Sequence, residues 1–400
     1  MLKTPRSSRL QIALVGRRNA GKSSLLNAIT GQELAVVSEV PGTTTDPVFK
    51  AMELLPFGPV VLIDTPGLDD EGDLGEKRVA ASRRILRQAD LVVIVVDATQ
   101  GLSQWERQVA EVARAQNLPV LVVQNKADLL AGVSPSAEGD LSQILVSAQT
   151  MSGINELKTK LVEMAPQSFW EERPLVGDLL QPGEQAMLIV PIDKAAPNGR
   201  LILPQVQVIR DLLDHGQSAI VARVDEAEAA LANLRTPPRL VITDSQVFAQ
   251  AAAITPREIG LTSFSMLFAR QKGDLATLVA GARAVQSLQA GDRVLIAETC
   301  THTTQHEDIG QVKIPHWLNQ RVGGELKFEW VAGTAFPDDL SQFRLVVHCG
   351  GCMLNRRAML ARLQDVTAVG VPIVNYGVLI AYLKGILPRA LEPFGLSLQG

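Results

Sequence analysis

Between residues 10 and 165 short apolar runs alternate with stretches of helical periodicity. Gln11 to Val15, Val60 to Ile63, Leu91 to Val96, Val120 to Gln124 and Ile144 to Val146 are nearly continuous in Val, Ile and Leu. Such runs fit strands buried on both faces of a parallel sheet. Pro166 to Pro182 reads as a linker. A second series places strands at Ala186 to Pro191, Ser218 to Arg223 and Leu240 to Thr243, and helices at Gln205 to Leu213, Glu226 to Leu234 and Ser245 to Ala253. Thr255, Pro256 and Gly260 punctuate its end. A third series places strands at Arg293 to Ala297, Leu326 to Val331, Arg344 to Val347 and Pro372 to Val374. Its helices are Leu275 to Leu288, Val312 to Arg321, Asn355 to Leu363 and Val378 to Gly385. The pattern predicts three α/β units in tandem, over 1–168, 174–262 and 263–400.

At 400 residues the chain is too long for one ordinary domain. The net charge of -4 argues against nucleic acid or an anionic membrane as partner. No apolar run approaches the roughly 20 residues of a membrane-spanning helix. The opening segment is interrupted by Gly16 and two arginines and does not read as a signal peptide, so the cytoplasm is the expected compartment. All three cysteines, Cys300, Cys349 and Cys352, lie in the last quarter. An odd number there speaks against a disulfide framework and for metal binding or reactivity. The middle unit lacks such constellations, which suits a scaffold or subunit interface. His215, before Gly216, is expected to cap a helix end.

The first unit carries the chemistry of a nucleotide site. Gly16-Arg-Arg-Asn-Ala-Gly21-Lys22-Ser23 follows a strand and opens a helix, as a phosphate loop requires. Successive N–H groups from Asn19, Ala20, Gly21, Lys22, Ser23 and Ser24 would cradle phosphates. Lys22 would reach the β- and γ-oxygens, and Ser23 would ligate magnesium. Asp64-Thr-Pro-Gly67 would add a carboxylate reaching magnesium through water and the Gly67 amide for the γ-phosphate. In Pro41-Gly-Thr-Thr-Thr-Asp46 a threonine, Thr44 before Thr43, would complete the magnesium shell. Asn125-Lys126-Ala-Asp128 offers a carboxylate that accepts from guanine N1 and N2, and Ser147-Ala148 a backbone contact to the guanine oxygen. Lys22, Ser23, Thr44, Asp64 and Gly67 are thus the expected catalytic set, working on GTP with Mg2+ to give GDP. Five unrelated turns in this order would be an improbable accident.

These motifs resemble the GTPases of the TrmE and Era type. Leu68 stands where many switch GTPases carry a glutamine that orients water. Asn19 matches an asparagine that members of this group use as a potassium ligand. The resemblance therefore implies K+ beside the phosphates and slow, potassium-stimulated turnover. The plain alternative for Asn19 is a turn-stabilising residue.

Cys300-Thr-His302 and His348-Cys349-Gly-Gly-Cys352 each follow directly on an expected strand, so both loops would emerge at the carboxyl edge of one sheet. The residues themselves leave three chemistries open: Cys3His zinc, a three-thiolate 4Fe-4S cluster, and a thiol redox pair.

The pattern CxH, 45 residues, then HCxxC, behind a TrmE-like GTPase and a middle unit, is similar to the HydF family, the GTPase maturation factors of iron-iron hydrogenases. That resemblance covers essentially the whole chain. It implies Cys300, Cys349 and Cys352 as ligands of a 4Fe-4S cluster, with His302 and His348 as candidate ligands and Glu307 as a candidate oxygen ligand. His306 and His316 fall outside the motif, as surface or packing residues. It further implies a homodimer through the middle unit, a di-iron precursor held in passing, and the hydrogenase with its other maturation proteins as partners. The competing reading is a regulatory GTPase with a structural zinc domain.

Overall fold

The computed structural model describes residues 6–31, 48–54, 58–64, 85–130, 140–170, 173–192, 201–299, 309–333, 336–337, 339–351 and 354–398. The chain divides into two compact units, Met1–Glu172 and Arg173–Gly400.

The first unit is built on a six-stranded sheet of order β2-β3-β1-β4-β5-β6. Its strands are β1 Leu10–Val15, β2 Val48–Leu54, β3 Gly58–Asp64, β4 Leu91–Asp97, β5 Val120–Asn125 and β6 Ser142–Leu145. All pairings are parallel except β2 with β3. The period-2 geometry of β1 divides its residues between two cores. Leu10, Ile12 and Leu14 pack with Leu25 and Leu26 of the Lys22–Thr30 helix and Leu157 of the Ile154–Glu163 helix. Ala13 and Val15 face Val109, Ala110 and Ala113 of the Gln104–Ala115 helix.

Strand β2 departs from the expected pattern. Lys50 and Glu53 interrupt its apolar run, so it lacks the continuous Val/Ile/Leu signature of a strand covered on both faces. It is an antiparallel edge strand, for which such interruption is normal. Strand β6 begins at Ser142, ahead of the expected Ile144, because the ladder to β5 starts at Ser142↔Leu121.

The second unit holds two all-parallel sheets. One has the order β10-β9-β7-β8, with β7 Gln185–Val190, β8 Ser218–Arg223, β9 Leu240–Thr243 and β10 Gly260–Ser263. The other has the order β12-β11-β13-β14, with β11 Arg293–Ala297, β12 Lys327–Val331, β13 Leu345–His348 and β14 Ile373–Asn375. One hydrophobic core runs from Met187 and Val241 in the first of these sheets to Leu295, Val346 and Val374 in the second.

Gly260 marks no boundary here. It opens β10, and the chain continues from Ser263 straight into the Phe264–Lys272 helix, whose first turn is capped by the Ser263 hydroxyl accepting from Met266 N–H. The expected break at 262/263 therefore falls inside a strand–helix unit. His215 is at the helix end foreseen for it, its ring Nδ1 2.7 Å from the Asp211 carbonyl.

The carboxyl end of β9 is covered from within the unit. Ser245 and Ser265 are hydrogen-bonded to each other, Asn375 donates to the Ser265 carbonyl, and Gly377 lies against both serines. A Cβ on Gly377 would fall 2.2 Å from Ser265 Cβ, so only glycine permits this approach. The sheet holding β9 thus spends this part of its carboxyl edge on packing against the segment that follows β14.

Candidate functional site

The nucleotide site grows from the carboxyl ends of β1, β3, β4 and β5. Gly16 leaves β1 so close to β4 that a Cβ would stand 2.1 Å from the Val95 carbonyl oxygen. Asn19 and Gly21 then take the left-handed conformation, with φ 59° and 88°, turning the chain into the helix that starts at Lys22. Ala20 is buried and Ser24 is exposed in the first helical turn. The Lys22 ammonium is buried and donates to the carbonyls of Gly16, at 2.6 Å, and Arg17, at 2.8 Å. These carbonyls pre-position the charge where phosphate oxygens would receive it.

Ser23 Oγ donates to Asp64 Oδ2 at 3.4 Å, while Asp64 Oδ1 is buried with no hydrogen-bond partner. Burial holds the Asp64 carboxyl above its ordinary pKa, against the pull of Lys22. An orphaned carboxylate oxygen beside a serine hydroxyl suits a magnesium ion, whose ligands are hard oxygens. Thr43, Thr44, Gly67 and Leu68 lie outside the described residues.

The loops expected to meet the base are tied together by one carboxamide. Asn125 Nδ2 donates to the Ala20 carbonyl at 3.1 Å, and Asn125 Oδ1 accepts from Ala148 N–H at 3.1 Å. Asp128 accepts from the Ser147 hydroxyl, which in turn receives Thr150 N–H. That leaves a carboxylate oriented by one oxygen and exposed to a base. Lys126 adopts φ 66° and pairs with Asp97 at 2.7 Å. Although burial opposes it, hydrogen bonds from Lys126 and Thr99 hold the Asp97 carboxyl below its ordinary pKa.

Two supports of the phosphate loop were not foreseen. Glu106, fully buried, accepts from Arg17 through both backbone N–H (3.5 Å) and Nε (3.3 Å), and its other oxygen accepts from Ser103 N–H. Arg17 also donates to the Gly101 carbonyl. The spacing Ser103-x-x-Glu106 is a capping box, which could have located the helix start but not its link to the phosphate loop. Asp97 carried no sequence signal.

The second constellation lies in the last sheet. Strand order changes direction between β11 and β13, since β12 lies on one side of β11 and β13 on the other. The carboxyl ends at such a switch point form a crevice where ligands bind. The ladder is in register at Ala297↔His348, and Cys349 N–H donates to the Ala297 carbonyl at 2.9 Å. Cys349 is a buried free thiol. Its sulfur lies 3.3 Å from both the backbone nitrogen and the hydroxyl oxygen of Thr299, the residue before Cys300. The two loops singled out in the sequence are therefore adjacent at these two residues. Cys300, His302, His306, Glu307 and Cys352 lie outside the described residues. Among the described residues no three His, Cys, Asp or Glu side chains converge as a metal site.

His348 is 1% exposed, and both its ring nitrogens are engaged within the chain. Nε2 is 2.9 Å from an Arg362 nitrogen and Nδ1 is 2.6 Å from the Cys349 carbonyl oxygen. A guanidinium only donates, so Nε2 accepts and Nδ1 carries the proton toward that carbonyl. Burial, with Arg362 beside it, pushes the His348 pKa down to about 3, so the ring is neutral. In this arrangement His348 holds the backbone of its neighbour and has no nitrogen to spare for a metal. Arg362 is itself buried, donates to the Gly333 carbonyl and lies over the Phe336 ring at 5.1 Å. His316 is exposed on the Ile314–Val322 helix.

Comparison with known proteins sorts these features. A family model described as 50S ribosome-binding GTPase matches residues 11–126. The tRNA modification GTPase MnmE of Nitratidesulfovibrio vulgaris (strain DP4) is 38% identical over 187 residues, 46% of this chain and 40% of that protein. MnmE of Moorella thermoacetica is 40% identical over 163 residues, 39% of this chain and 35% of that protein. The chain spans less than half the length of these relatives. Among solved structures, Era of Aquifex aeolicus bound to GDP and aluminium fluoride is 20% identical, covers 53% of this chain and 93% of that one, and has a TM-score of 0.36. The first unit is that of a P-loop GTPase. The remainder matches two further family models, hydrogen maturase F dimerization domain over 175–273 and hydrogen maturase F tetramerization domain over 276–393. The chain belongs to the hydrogen maturase F family, HydF.

The Asp128 geometry makes a direct prediction about base choice. A carboxylate accepts from guanine N1 and N2, and adenine offers no such pair of donors. Asp128→Asn should lower GTP turnover at limiting nucleotide by roughly 100-fold, the scale of losing a charge-assisted bidentate contact. It should raise turnover of xanthosine triphosphate, whose extra oxygen accepts from the new amide. An Asp128→Asn protein with unchanged GTP preference would contradict this assignment.

Proposed function

We propose that the protein is a GTP-hydrolysing scaffold that holds a 4Fe-4S cluster and carries a di-iron cofactor precursor to iron-iron hydrogenase. The observation that carries this reading is the contact between Thr299 and the Cys349 sulfur at the switch point of the last sheet. It supports a single site fed by Cys300 from one loop and by Cys349 and Cys352 from the other. Three thiolates suit a cubane better than a redox pair, which would leave Cys300 idle. Bound there, the cluster supplies a fourth iron open to an exchangeable ligand, which suits a protein that must accept and then release a metal cofactor.

The GTPase part works through its own residues. Lys22 neutralises charge on the β- and γ-oxygens, Ser23 and Thr44 hold magnesium, Asp64 reaches it through water, and Gly67 N–H meets the γ-phosphate. The Leu68 side chain has no carboxamide to orient water, so turnover is slow. Asn19 holds a potassium ion that contributes positive charge in the transition state, as an arginine does elsewhere. The part over 175–273 joins two copies into a homodimer, in keeping with the family model matched there. The hydrogenase and its other maturation proteins are the partners.

Potassium dependence follows from Asn19 and Leu68. Exchanging sodium for potassium at fixed ionic strength should raise kcat by an order of magnitude or more, about 10-fold to 100-fold. Asn19→Ala should abolish the difference. Equal rates in both salts would remove potassium from the account. The cluster reading is tested separately by single variants Cys300→Ala, Cys349→Ala and Cys352→Ala purified without oxygen. Each should lose most of its iron and retain GTP hydrolysis, whose residues belong to the other unit. Full iron content in any of the three would overturn the ligand set.

A further inference from the structure

Thr299 is placed with little freedom. It follows β11 by two residues, and Glu298 N–H before it is held by the Val331 carbonyl of the neighbouring strand at 2.8 Å. Across the switch point, Cys349 is held by its own N–H to the Ala297 carbonyl. Both donors of Thr299 lie 3.3 Å from one sulfur, and the cysteine is only 8% exposed, so water competes weakly for that acceptor. When Cys349 is a thiolate the hydroxyl is the proton holder of the pair, so both contacts run from Thr299 to sulfur.

We propose that Thr299 is a positioning residue that raises the reduction potential of the cluster through these two hydrogen bonds to Cys349; the proposal rests on the cluster reading given above. Taking up one electron makes the cluster and its thiolates more negative. Donors aimed at a sulfur stabilise that reduced state more than the oxidised one. Arg362 adds a buried positive charge on the same side of the balance. Its guanidinium is fixed by His348, Gly333 and Phe336. Thr299 is the member of this environment that touches the sulfur directly. Its neighbour in sequence, Cys300, carries the cluster from the other loop, so one short segment supplies a ligand and tunes another.

The test is reduction of the full-length protein with dithionite, loaded with its cluster without oxygen and followed by the EPR signal of the reduced form. Dithionite supplies the one electron, and no bond to the protein forms or breaks. Thr299→Val keeps the branched shape and removes the hydroxyl. At the midpoint of the unmodified protein its ratio of reduced to oxidised cluster should fall about threefold to tenfold, the scale of one net hydrogen bond. Thr299→Ser keeps the hydroxyl and should titrate with the unmodified protein. An unshifted midpoint in Thr299→Val with intact cluster would reduce Thr299 to packing and overturn the inference while leaving the cluster reading standing. If Thr299→Val loses iron, Thr299→Ser decides: a midpoint within error of the unmodified protein supports the hydroxyl, and a shifted one overturns it. Absence of the signal from the unmodified protein would sink the cluster reading, and the inference with it.

Discussion

The hydrogen bond from Cys349 N–H to the Ala297 carbonyl extends the pairing of β13 with β11 one residue beyond the strand end. Everything proposed for the last sheet depends on it. Parallel neighbours end at the same edge, so residues 298–299 and 348–349 leave the sheet side by side even though about 50 residues separate them in sequence. Chain order β11, β12, β13 would by itself allow β12 to intervene. It does not, because β12 pairs on the far side of β11, and the reversal opens the crevice between β11 and β13. The same topology recurs in the sheet of order β10-β9-β7-β8. There the edge beside β9 is closed by Ser245, Ser265 and Gly377 in mutual contact.

The two sites illustrate different uses of buried charge. In the phosphate loop Lys22 is buried yet satisfied by two carbonyls, and beside it the half-buried Asp64 keeps one buried oxygen unsatisfied. An unsatisfied carboxylate oxygen is costly without a cation, so the loop is arranged for what it binds. Glu106 shows the opposite case. Its carboxylate is fully used by Arg17 and Ser103 and serves as a fixed strut beneath the loop. Near Cys349, the Arg362 charge is held by a neutral imidazole and a carbonyl.

Much of the fold was legible in the sequence because parallel strands covered on both faces are continuous in Val, Ile and Leu. β4, β5, β9, β11 and β13 were found within a residue or so at each end. The misses have physical causes. The edge strand β2 carries Ala51 and Glu53 on an exposed face and Lys50, half-buried, on the other, as an edge strand can. β10 is four residues long and opens with a glycine that reads as punctuation. The GTPase class of the first unit was legible because phosphate and base recognition fix both residue type and spacing. The neighbours of Cys349 were not. Thr299 and Arg362 act through tertiary position alone, and a threonine after a strand or an arginine within a helix carries no local mark of that use. His348 was legible as part of a motif, but its role depends on Arg362, 14 positions further along the chain.

The central claim is that the edge between β11 and β13 holds an iron–sulfur cubane. Mössbauer spectroscopy of the unmodified protein, enriched in 57Fe and purified without oxygen, tests this most directly, together with metal and sulfide analysis of the same sample. The account predicts about four irons and four sulfides per chain, with one iron site distinguishable from the other three because it lacks a cysteine ligand. A colourless protein with one zinc per chain and no sulfide would contradict it, and would make the last sheet the seat of a structural metal.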